Sequence, residues 1–152
     1  MCPRPSLAHG AADAGAELIR FDGLDDSQIY ATIGEDGFHR LVALFYRQVP
    51  QDDILGPMYP KADLAAAEER LRDFLVGRFG GPTRYIEQRG HPRLRMRHAP
   101  FPINREARDR WMQLMTRALD QARLPPDVSA FLRDFFDAVA TMMVNQAETP
   151  DR

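Results

Sequence analysis

The densest chemistry in the chain lies in Gly90-His91-Pro92-Arg93-Leu94-Arg95-Met96-Arg97-His98-Ala99-Pro100-Phe101. Pro92 suits the first position of a short helix, because its φ already has the helical value. Leu94 and His98 stand four apart and share one face of that helix. Pro100 disfavours helix at Ala99 and ends the element. The product is an imidazole at a helix C-terminus, with Arg93, Arg95 and Arg97 on the other faces. An imidazole so placed can bind a metal cofactor that also carries acidic groups. The plainer reading is a packed or surface histidine, the commoner fate of a lone His between apolar residues. Zinc fits poorly, since His91 and His98 have no cysteine partners and lack a usual zinc spacing.

The elements that must hold this stretch read as helices. Ser27 caps a short helix, Gln28 to Ile33, with Gly34 as its stop. Asp36 caps a second, whose residues Phe38, Leu41, Val42, Phe45 and Val49 follow the i, i+3, i+4, i+7 pattern before Pro50. Tyr46 sits at the edge of that stripe, where its hydroxyl can turn inward to a polar partner. Asp52 to Pro60 is an apolar connector containing Met58 and Tyr59, too hydrophobic to lie wholly in water. Asp63 caps a helix from Leu64 to about Phe79, with Leu64, Ala67, Leu71, Phe74, Leu75 and Phe79 inward and Gly80-Gly81-Pro82 as its end. Asn104 caps the next, with Ala107, Trp111, Leu114, Met115, Ala118 and Ala122 at helical spacing. Pro125-Pro126 breaks the chain. A last helix, Asp127 to about Asn145, carries Val128, Phe131, Leu132, Phe135, Phe136, Val139, Met142 and Met143. No stretch alternates with period two and no repeat is present, so the expected fold is all-α with about four principal helices.

Length and composition set the frame. The 152 residues suggest one domain, 44% hydrophobic and 28% charged. A formal net charge of −2 points to neither nucleic acid nor an anionic membrane. The single cysteine, Cys2, excludes a disulfide framework and suits a reducing compartment. No apolar run reaches the ~20 residues of a membrane span, and the N-terminus lacks a signal-peptide core, so a cytoplasmic location is expected. Residues 1–26 read as an N-terminal extension, 27–146 as the domain, and 147–152 as a polar tail.

From about Ser27 to Asn145 the chain resembles the truncated haemoglobins of group II. The resemblance rests on Phe45-Tyr46, Met58-Tyr59-Pro60, Ala67-Glu68-Glu69-Arg70-Leu71 with the later Gly80-Gly81-Pro82, the run Gln88 to Phe101, and Trp111. It implies a two-over-two helical sandwich around haem b. Residue by residue, His98 matches the proximal ligand of a five-coordinate iron. Tyr46, Tyr59 and Trp111 match the distal polar triad, and Ala67 and Leu71 match the positions over the distal face. Ala67 stands where many globins place a histidine. Phe45, Met58, Phe74, Arg84, Tyr85, Leu94, Met96, Arg97, Phe101, Met115 and Val139 complete the implied haem pocket. Arg97 is the foremost cation for the haem propionates, with Arg84 and Arg93 behind it, and His91 belongs to the surface or the propionate side.

The resemblance also implies binding of O2 and other small diatomic ligands. Three donors around the ligand argue for slow release, hence redox, NO- or peroxide-detoxifying or sensing work rather than bulk oxygen transport. No Gly-x-Gly-x-x-Gly follows a strand, so NO dioxygenase or peroxidase-like turnover would need a separate reductase. The assembly expected is a monomer or homodimer. The rival from another class is a cofactor-free helical interaction module that binds an acidic partner through the arginine-rich stretch.

Overall fold

The computed structural model describes residues 26–146. The expectations for the N-terminal extension up to residue 25 and for the tail 147–152 lie outside the described residues. Six helices make the frame: α1 (Ser27–Gln48), α2 (Leu64–Arg78), α3 (Arg84–Arg89), α4 (Leu94–His98), α5 (Arg105–Ala122) and α6 (Pro126–Met143). Short 3-10 turns at Val49–Gln51, Gly56–Met58 and Lys61–Asp63 carry the chain from α1 to α2. No strand occurs among the described residues.

The pair α1 and α2 packs on the pair α5 and α6 as a two-over-two helical sandwich, with α1 against both α2 and α5. The apolar stripes dictate this. Phe38, Leu41, Val42 and Phe45 of α1 are fully buried, as are Leu75 and Val76 of α2, Met115 and Ala118 of α5, and Leu132 of α6. Each such side chain removed from water contributes roughly 1.5–3 kcal/mol. Phe79, just past α2, is the aromatic hub. It stacks on Phe38 at 5.8 Å and meets Phe135 edge-on at 4.9 Å.

The local signals act mostly where expected. α1 is bent at Gly34, whose φ of 66° and ψ of −178° are open essentially to glycine alone. The expected break between two helices is therefore a kink within one. The Asn104 side chain accepts a hydrogen bond from Ala107 N at 2.8 Å and caps α5. Pro126 occupies the first turn of α6. Gly80, at φ 104°, lies so close to α1 that a Cβ there would meet the Ser27 carbonyl oxygen at 2.8 Å.

Three local expectations are corrected. Ser27 and Asp63 do not cap through their side chains: Ser27 is already helical, and the Asp63 carboxylate is taken by Arg70 at 2.7 Å. Pro92 does not open the histidine helix. α4 starts two residues later, after Arg93 in the left-handed conformation at φ 41°. The segment Arg84–Arg89, to which the sequence gives no clear start signal, is the helix α3.

Candidate functional site

A cavity of about 490 Å³ opens between the two helix pairs, walled by α1, α2, the α1–α2 connector, α3, α4, α5 and α6. That size lies within the about 300–1,000 Å³ usual for ligand and cofactor sites. His98, the last residue of α4, is half-buried on its wall. Its ring Nδ1 lies 2.7 Å from the carbonyl oxygen of Leu94, one turn earlier. A carbonyl can only accept, so Nδ1 carries a proton, and in the neutral ring the lone pair falls on Nε2. This is the tautomer that a metal-ligating histidine needs.

Asn145, past the end of α6, holds the segment behind His98. Its Nδ2 donates to the carbonyl oxygens of Phe101 at 2.9 Å and His98 at 3.2 Å. Its Oδ1 accepts from Ile103 N at 2.9 Å. The backbone N–H of Asn145 also reaches Ile103 O at 3.0 Å. A four-residue gap between α4 and Ile103 is thereby held at both ends.

Three aromatic residues with polar tips come together on the same cavity: Tyr46 from α1, Tyr59 from the connector, and Trp111 from α5. The two phenol rings meet edge to face at 5.7 Å. Burial pushes the phenol of Tyr46 well above the ordinary tyrosine value. Burial raises Tyr59 too, while hydrogen bonds with the Trp111 and Tyr46 side chains pull it back. Both hydroxyls therefore stay protonated throughout the neutral range, and the indole N–H can only donate. Phe45 backs the group, packing on Tyr46 at 5.1 Å and on Trp111 at 5.0 Å.

Of the other residues expected at the site, Ala67, Leu71, Met58, Phe74, Tyr85, Leu94, Arg97, Phe101 and Val139 line the cavity. Four do not. Phe45 and Met115 are fully buried in the core behind it, because their stripe positions face the opposite helix. Met96 is 59% exposed, since α4 is a single turn and only its Leu94–His98 face looks inward. Arg84 turns away to Glu35 and, at 3.3 Å, to the buried Asp73. Its charge is already matched by two carboxylates, and the bond from Arg84 lowers the pKa of Glu35.

Arg97 lies over the ring of Tyr85 at 5.9 Å, and its Nη2 donates to Arg89 O at 2.8 Å. Sequence reasoning missed other lining residues, among them Arg70, Arg89, Leu55, Ile103 and Met143. Arg70 was within reach of the pattern: it follows Ala67 by three and precedes Phe74 by four. Phe135 and Phe136, read as plain core, also touch the cavity.

The donor set fits haem. One imidazole, apolar walls, a patch of half-buried phenol and indole donors, and the guanidinium groups of Arg89 and Arg97 suit a flat apolar ring with a central metal and carboxylate arms. Among the described residues no group of three or more His, Cys, Asp or Glu side chains assembles to hold a bare metal ion.

Comparison with known proteins decides the family. Residues 28–145 match the family model of the bacterial-like globins. The chain is a bacterial-like globin. Within that family it belongs with the group II truncated haemoglobins. It is 40% identical over 123 residues to the group 2 truncated hemoglobin YjbI of Bacillus subtilis, covering 81% of this chain and 92% of that one. A thermostable hemoglobin from the actinobacterium Thermobifida fusca superposes with a TM-score of 0.76 at 48% identity, covering 79% of this chain and 98% of the other. A truncated oxygen-avid haemoglobin from Bacillus subtilis gives a TM-score of 0.73 at 38% identity, covering 77% and 98%. Globin membership implies a haem cofactor for this chain. It displaces the cofactor-free interaction module, and no described helix is long and apolar enough to cross a membrane.

Proposed function

We propose that this globin holds haem b with His98 as the proximal ligand and binds O2 and other small diatomic molecules beside the Tyr46, Tyr59 and Trp111 side chains. The observation that carries the reading is the His98 ring, held as the Nδ1–H tautomer by Leu94 O, on the same cavity as those three donors. When bound, haem supplies an iron able to take a diatomic ligand. The chain's residues do the rest. Leu94 orients the imidazole, and Ala67, Leu71 and Phe74 exclude water from the distal side. Trp111 is a fixed donor toward negative charge on a ligand, and each tyrosine can donate to its neighbour or to the ligand. Arg97, with Arg89 added by the structure, offers cations to the propionates, while Arg70 is held by Asp63. A guanidinium has five N–H donors, so the bond from one Arg97 nitrogen to Arg89 O leaves others for a carboxylate.

Donors of this density slow release, which suits NO or peroxide chemistry or sensing better than bulk transport, with electrons from a separate reductase. The relative described as oxygen-avid agrees with slow release. The test is haem titration of the wild type and His98→Ala. The wild type is expected to take one haem per chain and turn red; His98→Ala should bind it weakly and lose the axial-imidazole spectrum. Equal retention with an unchanged spectrum in the variant would remove His98 from the iron.

A further inference from the structure

Tyr59 and Trp111 come from different parts of the chain, the one from the α1–α2 connector and the other from α5. Tyr59 ends a connector, Asp52 to Tyr59, that is tied together internally. Asp52 Oδ2 accepts from Leu55 N at 2.7 Å and from Ile54 N at 3.0 Å. The Asp52 carbonyl accepts from Gly56 N, and the Gly56 carbonyl accepts from Tyr59 N. Leu55, 2% exposed, anchors this unit in the core. The connector is therefore a single hydrogen-bonded unit, with Asp52 at one end and Tyr59 at the other.

Arg110 grips that piece from α5. Its Nη1 lies 2.7 Å from Asp52 Oδ1 and 2.7 Å from Asp53 Oδ1. The two carboxylates differ in setting: the Asp52 side chain is 7% exposed and that of Asp53 is 83% exposed. A solvated pair contributes little, so Asp52 is the effective partner. Arg110 immediately precedes Trp111. One ion pair thus joins the connector that carries Tyr59 to the helix turn that carries Trp111, two side chains on the same cavity wall.

We propose that the Asp52–Arg110 ion pair is the positioning strut of the distal site, setting the register of Tyr59 against Trp111 and so the aim of both donors. Neither residue lines the cavity; both act through residues that do. The consequence for ligands rests on the distal-donor reading above, whereas the register of the two side chains does not.

The experiment compares Arg110→Gln, Asp52→Asn, Arg110→Lys and Asp53→Asn with wild type in the haem-loaded full chain. Trp111 is the only tryptophan, so the ultraviolet resonance Raman band of its indole N–H reports the hydrogen bonding of that one donor without interference. Stopped-flow release of O2 and of CO is measured beside it. Asp52→Asn keeps a side-chain oxygen for the two backbone N–H groups and loses only the charge, so it separates the strut from the loop cap.

Arg110→Gln and Asp52→Asn are expected to shift the indole band toward a weaker hydrogen bond and speed O2 release by roughly three- to tenfold, with CO release changed less. Arg110→Lys should restore most of both readouts, and Asp53→Asn should match wild type. An unchanged indole band in Arg110→Gln and Asp52→Asn overturns the proposal, even where the melting temperature falls. A shifted band with unaltered O2 release upholds the strut and instead removes the two side chains from the ligand.

Discussion

At the residue scale, the distal group rests on an asymmetry between its members. Trp111 can only donate, whereas Tyr46 and Tyr59 can satisfy each other. A hydrogen bond to a charged acceptor contributes about 1.5–3 kcal/mol, so Trp111→Phe should raise O2 release by roughly ten- to a hundredfold. CO places less charge on its outer atom and should respond far less. Equal acceleration of both gases would mean that the indole acts by filling space. Of the three, only Tyr46 stood out by spacing, as a phenol at the edge of an apolar stripe; Tyr59 and Trp111 were read as its companions through the family resemblance. The arginines were harder. Arg84 and Arg97 look alike in sequence, but Arg84 stands near Glu35 and Asp73 in space, and no local pattern announces a carboxylate from another helix.

At the scale of elements, long amphipathic helices were readable and the short pieces between them were not. α2, α5 and α6 follow from their apolar period and end signals, and the Asn104 cap acts as its side chain suggests. α3 and α4, of six and five residues, are too short for a stable period of their own. They exist because neighbours hold them. Asn145 illustrates this: a polar residue at a helix end reads as an ordinary terminus, and only the folded chain shows it gripping the backbone beside His98. Each such bond contributes about 0.5–1.5 kcal/mol, less where water competes, so Asn145→Ala should speed haem loss by roughly three- to tenfold. O2 release should stay as in wild type, since the distal donors are untouched. Haem transfer to an apo-globin acceptor measures this, and an unchanged transfer rate would reduce Asn145 to a simple helix end.

At the scale of the molecule, ion pairs stitch the helices around the cavity. Glu35 joins α1 to Arg84 of α3 and Asp52 joins the connector to Arg110 of α5, while Asp63 ties the start of α2 to its own Arg70. All three carboxyls are held below their ordinary values. Arg84 and Arg70 are the chief cause for Glu35 and Asp63; at Asp52 burial works the other way but is outweighed by backbone N–H bonds and Arg110. A carboxyl with a depressed folded pKa favours the native state above its unfolded value, about 4, and loses that contribution as pH falls toward the folded value. The melting temperature should therefore stay level from pH 7 to about pH 5 and fall below about pH 4. The fall should be shallower in Arg110→Gln, which starts without one of the three pairs. A melting temperature that is flat down to pH 3, or a fall just as steep in that variant, would deny these pairs a share in stability.

The single indole of this chain stands on the wall of its cavity, in contact with Phe136 at 5.6 Å and with Phe45 behind it. Its light reports on one place only. A porphyrin beside it absorbs where indole emits, so the cavity's occupancy is written in the brightness of the protein itself: luminous when empty, dark when filled. Loading, loss and exchange of the cofactor can be timed in the natural protein by fluorescence, with no label attached.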